Sequence, residues 1–246
     1  LPGVDHGFHL LRAVFTAVRT PVIEEHNEKG RIGRRAVKET IKPVGTVHLE
    51  VIPNGVELHT PARREAPEGP LHIGVLSPLR PGKGHADFLR AAAALPHHRE
   101  IRWSLAGFGE ELESLKELAG EVGLEVEFLG HLENPDEYIA QLHLSVIPSH
   151  KETFSLVTLE SLMLGCPVLA ANSGGVEELC RNHAGAVLYP VGDVAELTRE
   201  LARFIESPEK LQENALKAVG KTRTNFSSSA MAGRYQKLYG NLLDNL

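Results

Sequence analysis

The sequence predicts an α/β protein, a parallel sheet with helices on both faces. Three observations carry that reading. From Leu71 onward short apolar runs alternate with helical patterns, the mark of βαβ units. The runs are continuously apolar, as strands are when helices cover both faces of a sheet. And the turns bearing glycine and charge follow the strands, at the carboxyl ends where open sheets of this type bind ligands.

Taken in order, the strand candidates are Leu71–Leu76, Ile101–Ala106, Val126–Leu129, Leu144–Ile147, Pro167–Ala170 and Ala186–Leu188. Helical patterns lie between them at His85–Leu95, Glu110–Val122, Asp136–Leu142, Leu156–Leu164 and Val176–Arg181. The fourth of these helices is mostly apolar and is stopped by Gly165 and Pro167. Three further helices close the chain: Val194–Glu206, Glu209–Lys221 and Ser228–Leu243. Ahead of the regular region, His48–Ile52 reads as a strand running into the turn signal Pro53-Asn54-Gly55. Residues 59–70, rich in Pro, Arg, Glu and Gly, read as a linker.

Composition narrows the function. The chain has 246 residues, 42% of them apolar, enough for a core, and a net charge of −6. That charge argues against a broad nucleic-acid surface. Two cysteines, Cys166 and Cys180, make neither a disulfide framework nor a zinc pattern, and a reducing cytoplasm is the simplest setting. No apolar run approaches the roughly 20 residues of a membrane span. The pair His6 and His9 lacks a third metal ligand nearby, and His97-His98 reads as a solvated loop.

Chemistry concentrates in the turns. Ser149–Ser155 joins the fourth strand to the apolar helix and carries Glu152. The amides of Phe154, Ser155, Leu156 and Val157 stand at that helix start, where free N–H groups and the positive dipole end favour an anion. Glu160 lies one turn inside. A lone acid there costs several kcal/mol, on the order of 3, unless it is paired or hydrogen-bonded. Either it meets an arginine such as Arg80 or Arg181, or it accepts hydrogen bonds from ligand hydroxyls. After the first strand, Arg80-Pro81-Gly82-Lys83-Gly84 places a cation at a helix start without the spacing of a P-loop. Gly107-Phe108-Gly109 has Leu112 where a dinucleotide fold wants a third glycine, although Glu127 sits where such folds carry a ribose-binding acid. The paired glycines Gly174-Gly175 free two amides toward a ligand, with Glu177 and Glu178 in the following turn.

Together these motifs resemble the donor-binding half of a retaining glycosyltransferase of the glycosyltransferase-B fold, in the large family of bacterial mannosyl- and glucosyltransferases. The resemblance runs from about Val51 to Leu243. Ile52-Pro53-Asn54-Gly55-Val56 resembles the family's IPNGV, and Leu79–Gly84 its RLxPxKG turn. Ala106–Gly109 resembles its GxG turn, and Phe128–Leu132 its FLG loop. Glu152 and Glu160 match its E-x7-E signature, and Ser173–Glu178 its GGxxE. The resemblance implies a Rossmann-like domain, the C-terminal half of that fold, at residues 71–225. An acceptor-domain remnant would occupy 1–50, an interdomain strand and linker 51–70, and a crossover helix 226–246. It implies transfer from a UDP- or GDP-sugar to a glycan or lipid-linked acceptor, with no metal or other cofactor, in the cytoplasm or at the inner membrane face. Lys83 would bind the diphosphate and Glu152 the sugar hydroxyls. The amides of Phe154, Ser155 and Leu156 would lie near sugar and phosphate. Glu160 would hold the ribose, backbone at Leu132 the base, and Gly107 the donor's flank. His26, ending a segment like an acceptor-domain strand, would be the active-site histidine.

Three departures qualify the implication. Pro78 stands where the family has an arginine that helps neutralise the diphosphate, with Arg80 the nearest substitute. Thr153 and Ser155 replace glycines of the signature, Ser155 being able to cap the helix. And only about fifty residues precede Ile52, so the sequence is expected to be a fragment or a truncated chain. Without an acceptor domain, the apolar face of the last helix (Met231, Tyr235, Leu238, Leu242) is expected to be exposed and to promote self-association. Two rival readings remain: a non-catalytic nucleotide-sugar-binding module, and an NAD-dependent oxidoreductase, which Leu112 disfavours.

Overall fold

The computed structural model describes residues 50–63, 65–96, 100–181 and 183–243. Six strands form one sheet: β1 His72–Leu76, β2 Arg102–Ala106, β3 Glu127–Gly130, β4 Leu144–Ile147, β5 Val168–Ala171 and β6 Ala186–Tyr189. Their order is β3-β2-β1-β4-β5-β6 and every pairing is parallel. The connecting helices are α1 His85–Ala93, α2 Leu112–Val122, α3 Pro135–Gln141, α4 Leu156–Leu164 and α5 Val176–Cys180. The chain continues through α6 Val194–Glu206, α7 Glu209–Phe226 and α8 Ser228–Leu243. This is the Rossmann-like α/β architecture expected. Chain order reverses between β1 and β4, the switch point at which such sheets open a crevice.

Alternation along each strand divides the core. Leu144 and Val146 of β4, with Leu169 and Ala171 of β5, join β1, β2, α1, α2 and α6 in one cluster, where Phe88 and Trp103 meet edge to face at 5.7 Å. Val168 and Ala170 point the other way, into α4 and α5. A third cluster sets Tyr138, Ile139 and Leu142 of α3 against Leu164 and Cys166. Both cysteines are buried and free. Gly74 is required inside β1 because a Cβ there would collide with the Tyr138 hydroxyl.

Helix ends follow their sequence signals. Gly123 and Gly165 adopt positive φ and close α2 and α4, and Asp193 caps α6 through the Glu196 amide at 2.9 Å. The helix expected to stop at Lys221 runs on to Phe226. It ends where Val56 exchanges backbone bonds with the α7–α8 junction, Val56 N to Phe226 O at 2.9 Å and Ser228 N to Val56 O at 3.1 Å. The following segment is tied down as well. Asp136 accepts from the amides of His59 and Thr60, and Arg63 donates to the carbonyls of Leu142 and Gly165 at 2.6 and 2.9 Å.

The last helix departs from expectation. Leu238 is buried and Met231 and Tyr235 are half-buried, so of the four residues named only Leu242 is exposed, beside Tyr239 and Leu243. The Met231 sulfur accepts the Gly55 amide at 3.2 Å. No helix among the described residues is long and apolar enough to cross a membrane.

Candidate functional site

Three loops meet at the switch point. The β1–α1 turn and the β4–α4 loop are stitched by His150 N to Gly82 O at 2.9 Å, and a Cβ on Gly84, whose φ is +72°, would collide with the Pro148 carbonyl. The β5–α5 loop joins them. Ser173 Oγ donates to Ser149 O at 3.0 Å and Gly175 N to Thr153 O at 3.1 Å. A Cβ on Gly174 or Gly175 would strike the carbonyls of Glu152 or Thr153. These paired glycines were expected to free two amides for a ligand. Instead they let two backbones touch, and the Gly175 amide is consumed in holding the Glu152 loop.

That stitching brings the two principal charges together. Lys83 Nζ donates to Glu152 Oε1 at 2.6 Å across 69 residues of sequence, with side chains only 13% and 14% exposed. The pair lies at the start of α4. There Ser155 takes a positive φ of 64°, alone among the described non-glycine residues, a conformation that costs a β-carbon residue about 1 kcal/mol. In return its hydroxyl caps the helix, accepting from Thr158 N at 3.4 Å and Thr158 Oγ1 at 2.8 Å. The amides of Phe154, Ser155, Leu156 and Val157 make no hydrogen bond to another described residue. The half-turn therefore presents donors beside a shielded cation.

Glu160 answers the question the sequence left open. Neither candidate arginine meets it: Arg181 pairs with Glu177 along α5, and Arg80 is exposed without a side-chain partner among the described residues. The Glu160 carboxylate, half-buried on α4, has no hydrogen bond or ion pair to any described residue. Burial, and then the nearby charge of Asp136, push its pKa up to about 6. Asp136 itself is burdened by burial, but the amides of His59 and Thr60 outweigh that and hold it below the usual range.

The remaining predicted residues surround this centre. Gly107 is held at φ +139°, where a Cβ would collide with Ser77 O, and its amide is spent on Gly130 O at 2.7 Å. Gly107 thus contributes close approach and no free donor. Leu132 is half-buried and packs on the α3 cluster together with Val157 of α4. Phe154 packs on the α5 side. His26, His6, His9 and His97-His98 lie outside the described residues. Glu127 forms a two-point ion pair with Arg102 at 2.8 Å on the edge strand, which removes the acid a dinucleotide reading needed. Among the described residues no three His, Cys, Asp or Glu side chains cluster as metal ligands would.

Sequence reasoning missed His85. It follows the Lys83-Gly84 turn on the buried face of α1, and its Nε2 bonds Ser77 Oγ at 2.8 Å. Burial and then Lys83 lower its pKa to about 4, so it is neutral. The imidazole joins the two ends of the β1–α1 turn. Its position on the apolar stripe of the helix was the available signal.

Comparison with known proteins agrees with this geometry. The family model described as Glycosyl transferases group 1 matches residues 59–221. The glycogen synthase of Mycobacterium tuberculosis is 31% identical over 206 residues, covering 79% of this chain and 49% of that protein. A D-inositol 3-phosphate glycosyltransferase of Thermobispora bispora is 32% identical over 192 residues, covering 72% and 44%. The structure of Anabaena HepE in complex with UDP-glucose matches with a TM-score of 0.65 at 26% identity, over 70% of this chain and 49% of that one. The chain spans about half the length of these relatives.

Proposed function

We infer that this chain, which belongs to the glycosyl transferases group 1 family, binds the nucleotide-diphosphate sugar of a sugar-transfer reaction at the carboxyl end of its sheet. The observation that carries this is the Lys83–Glu152 pair at the start of α4 with a carboxylate, Glu160, one turn further in that has no hydrogen bond or ion pair to a described residue. A shielded cation and free amides suit a diphosphate. A half-buried acid without a partner among the described residues suits ligand hydroxyls, which can offset its desolvation.

In this reading Lys83 turns part of its charge to the diphosphate, while Glu152 accepts from sugar hydroxyls. The amides of Phe154, Ser155 and Leu156 take phosphate or sugar oxygens, and Glu160 takes the ribose. Negative charge growing on the departing diphosphate meets a fixed cation and a helix N-terminus, so the transition state gains more than the ground state. These groups supply the positive charge a metal would bring, and we propose transfer without one. Retention at the anomeric carbon follows from the likeness of the Glu152–Glu160 signature to retaining enzymes. A glycan or lipid-linked acceptor, and His26 on the acceptor side, complete the proposal. It places the reaction in cell-envelope or polysaccharide synthesis.

A second reading rests on Pro78 and Arg80. Proline occupies the position where the family's arginine would stand, and Arg80 is exposed. On that reading the chain holds a donor without transferring it. Calorimetric titration with UDP-glucose and GDP-mannose, with and without chelator, tests donor binding. Lys83→Ala and Glu160→Ala should each weaken binding of one donor by about tenfold or more, with no effect of chelator. No binding of either donor by the wild type sinks the proposal. Release of sugar from a bound donor separates transfer from storage, and the anomer that appears first reports retention or inversion.

A further inference from the structure

We propose that Asp136 is a positioning residue for the donor site: fastened by the segment before β1, its carboxylate faces Glu160 across the α3–α4 contact and sets the pH range over which Glu160 takes ligand hydroxyls. This rests on the donor-binding reading and adds to it a residue that touches no ligand. Helix periodicity places the two acids opposite each other. Val157 and Leu164 of α4 both belong to the cluster built on Tyr138, Ile139 and Leu142 of α3. Glu160 lies three residues after the first and four before the second. Positions so spaced share one stripe of a helix, so Glu160 stands on the stripe that meets α3. Asp136 comes three residues before Ile139, which is fully buried in the same contact, and so stands on the stripe of α3 that meets α4.

Asp136 is also held in place. Its Oδ2 accepts the amides of His59 and Thr60 at 2.8 and 3.2 Å. Burial opposes its charge, and these amides outweigh burial and keep it ionised. The segment that supplies them is anchored on either side. Leu58 packs on the α3 cluster together with Val157, and Arg63 donates to the carbonyls that end α3 and α4. Other charged groups on the elements around α4 are engaged elsewhere. Arg223 of α7 donates to the carbonyls of Met163 and Thr60, Arg181 of α5 pairs with Glu177, and Lys83 pairs with Glu152. The remaining charged side chains of α3, α5, α7 and residues 57–59, among them Glu137, His59 and Lys221, are exposed. Strands β4 and β5 carry none.

A fixed negative charge facing an acid delays its ionisation as pH rises. Burial is the larger reason that Glu160 holds its proton to about pH 6, and the Asp136 charge is the second. A protonated carboxyl is a poorer acceptor for hydroxyls than a carboxylate. Asp136 therefore moves the onset of donor binding to higher pH than burial alone would set. Because its own hydrogen bonds are already made within the chain, it exerts this effect without rearranging when a ligand arrives.

The test follows donor affinity by calorimetry from about pH 4.5 to about pH 8 in wild type, Asp136→Asn and Asp136→Ala. The donor is UDP-glucose or GDP-mannose, whichever wild type binds, and the diphosphate diester of either does not titrate in that range. Wild-type affinity should rise with a midpoint near 6, and Glu160→Gln should abolish the rise. Asparagine keeps an oxygen for the two amides and loses the charge. Asp136→Asn should therefore fold as wild type does, which thermal denaturation checks. Its midpoint should move down toward 4.5 and stop short of it, because burial remains. Asp136→Ala should shift the midpoint in the same direction, and in this variant alone hydrogen exchange at the His59 and Thr60 amides should quicken. Wild-type affinity that is flat with pH, a midpoint that stays near 6 in Asp136→Asn, or a change uniform across pH overturns this inference and leaves the donor site standing. Wild type binding neither donor overturns both.

Discussion

The two ends of the sheet handle polar groups in opposite ways. At the amino end, His72 Nε2 and the Tyr138 hydroxyl both bond Ser104 Oγ, at 2.8 and 2.7 Å, and His143 takes the His72 amide at 3.0 Å and reaches Pro67 O at 2.8 Å. Donors and acceptors close on one another, with His72 Nδ1 the one buried ring nitrogen of the group left without a partner among the described residues. At the carboxyl end the accounts stay open. Among the described residues Glu160 has no hydrogen-bond or ion-pair partner and four amides at the start of α4 have none, Ser155 is strained and Phe108 faces water. The same fold produces both. The difference is that backbone at the carboxyl end is fastened by turns and glycines, which leaves side chains and amides unspent. A closed network stabilises, and an open one awaits a ligand.

The largest expected effect tests the closed end with acid. His72 titrates near 6.5 when unfolded, but burial first and Arg102 second hold it to about 4 in the fold, with Glu127 opposing and His143 adding a little. Between those values the unfolded chain binds a proton that the folded chain refuses. Stability from this group is therefore full above pH 6.5 and falls as pH drops toward 4, by up to about 3 kcal/mol. Urea denaturation at several pH values should show a steeper loss across that window in wild type than in His72→Asn. Equal slopes would mean that His72 titrates in the fold as it does in the unfolded chain.

Much of this fold could be read from the sequence, because its strands are continuous apolar runs and two of its helices, α2 and α4, end on glycines in the left-handed backbone that glycine favours. The α4 boundaries, Leu156–Leu164, follow directly from Ser155, the apolar run and Gly165. What the sequence could not show is pairing over distance. Lys83 and Glu152 each carried a separate assignment, and their contact appears only when the β1–α1 and β4–α4 loops are stitched together. Gly174 and Gly175 read as ligand-facing because a glycine pair signals close approach without saying to what. The object approached is the Glu152 loop. Glu160 was visible as an oddity, yet its lack of a partner depends on where Arg80 and Arg181 point, and no local pattern contains that.

A smaller effect of opposite sign tests the open end. The Glu160 carboxyl is raised from 4.5 to about 6, so the folded chain binds more protons than the unfolded chain between those values. Stability from this group is highest below pH 4.5 and declines as pH rises through 6. Glu160→Gln, which cannot ionise, should therefore stabilise the protein by about 1–2 kcal/mol at pH 8 and by little at pH 4.5. Donor affinity should move the other way, falling about tenfold or more at pH 8 as the charged acceptor is lost. In wild type, affinity should itself strengthen as pH rises through 6. A variant no more stable than wild type at pH 8 would show that Glu160 has found a partner in solution.

The smallest effect sharpens the contrast by being small. Arg102 and Glu127 make the best-formed ion pair on the edge strand, two hydrogen bonds of 2.8 Å, but both side chains are 47% exposed. Water screens such a pair, and Arg102→Ala should cost less than about 1 kcal/mol. Donor affinity should not change, because the pair sits at the amino end of β2 and β3, away from the turns that hold Lys83 and Glu152. Removing Arg102 also removes one of the two charged neighbours that lower the pKa of His72, so the folded pKa moves back toward 6.5 and the loss of stability on acidification should become slightly smaller. Denaturation and donor titration of this one variant thus address both ends of the sheet. A fall in donor affinity would show that the ends are coupled through β2. Unchanged affinity with a smaller acid loss would show two separate systems, one settled within the chain and one left for a ligand to complete.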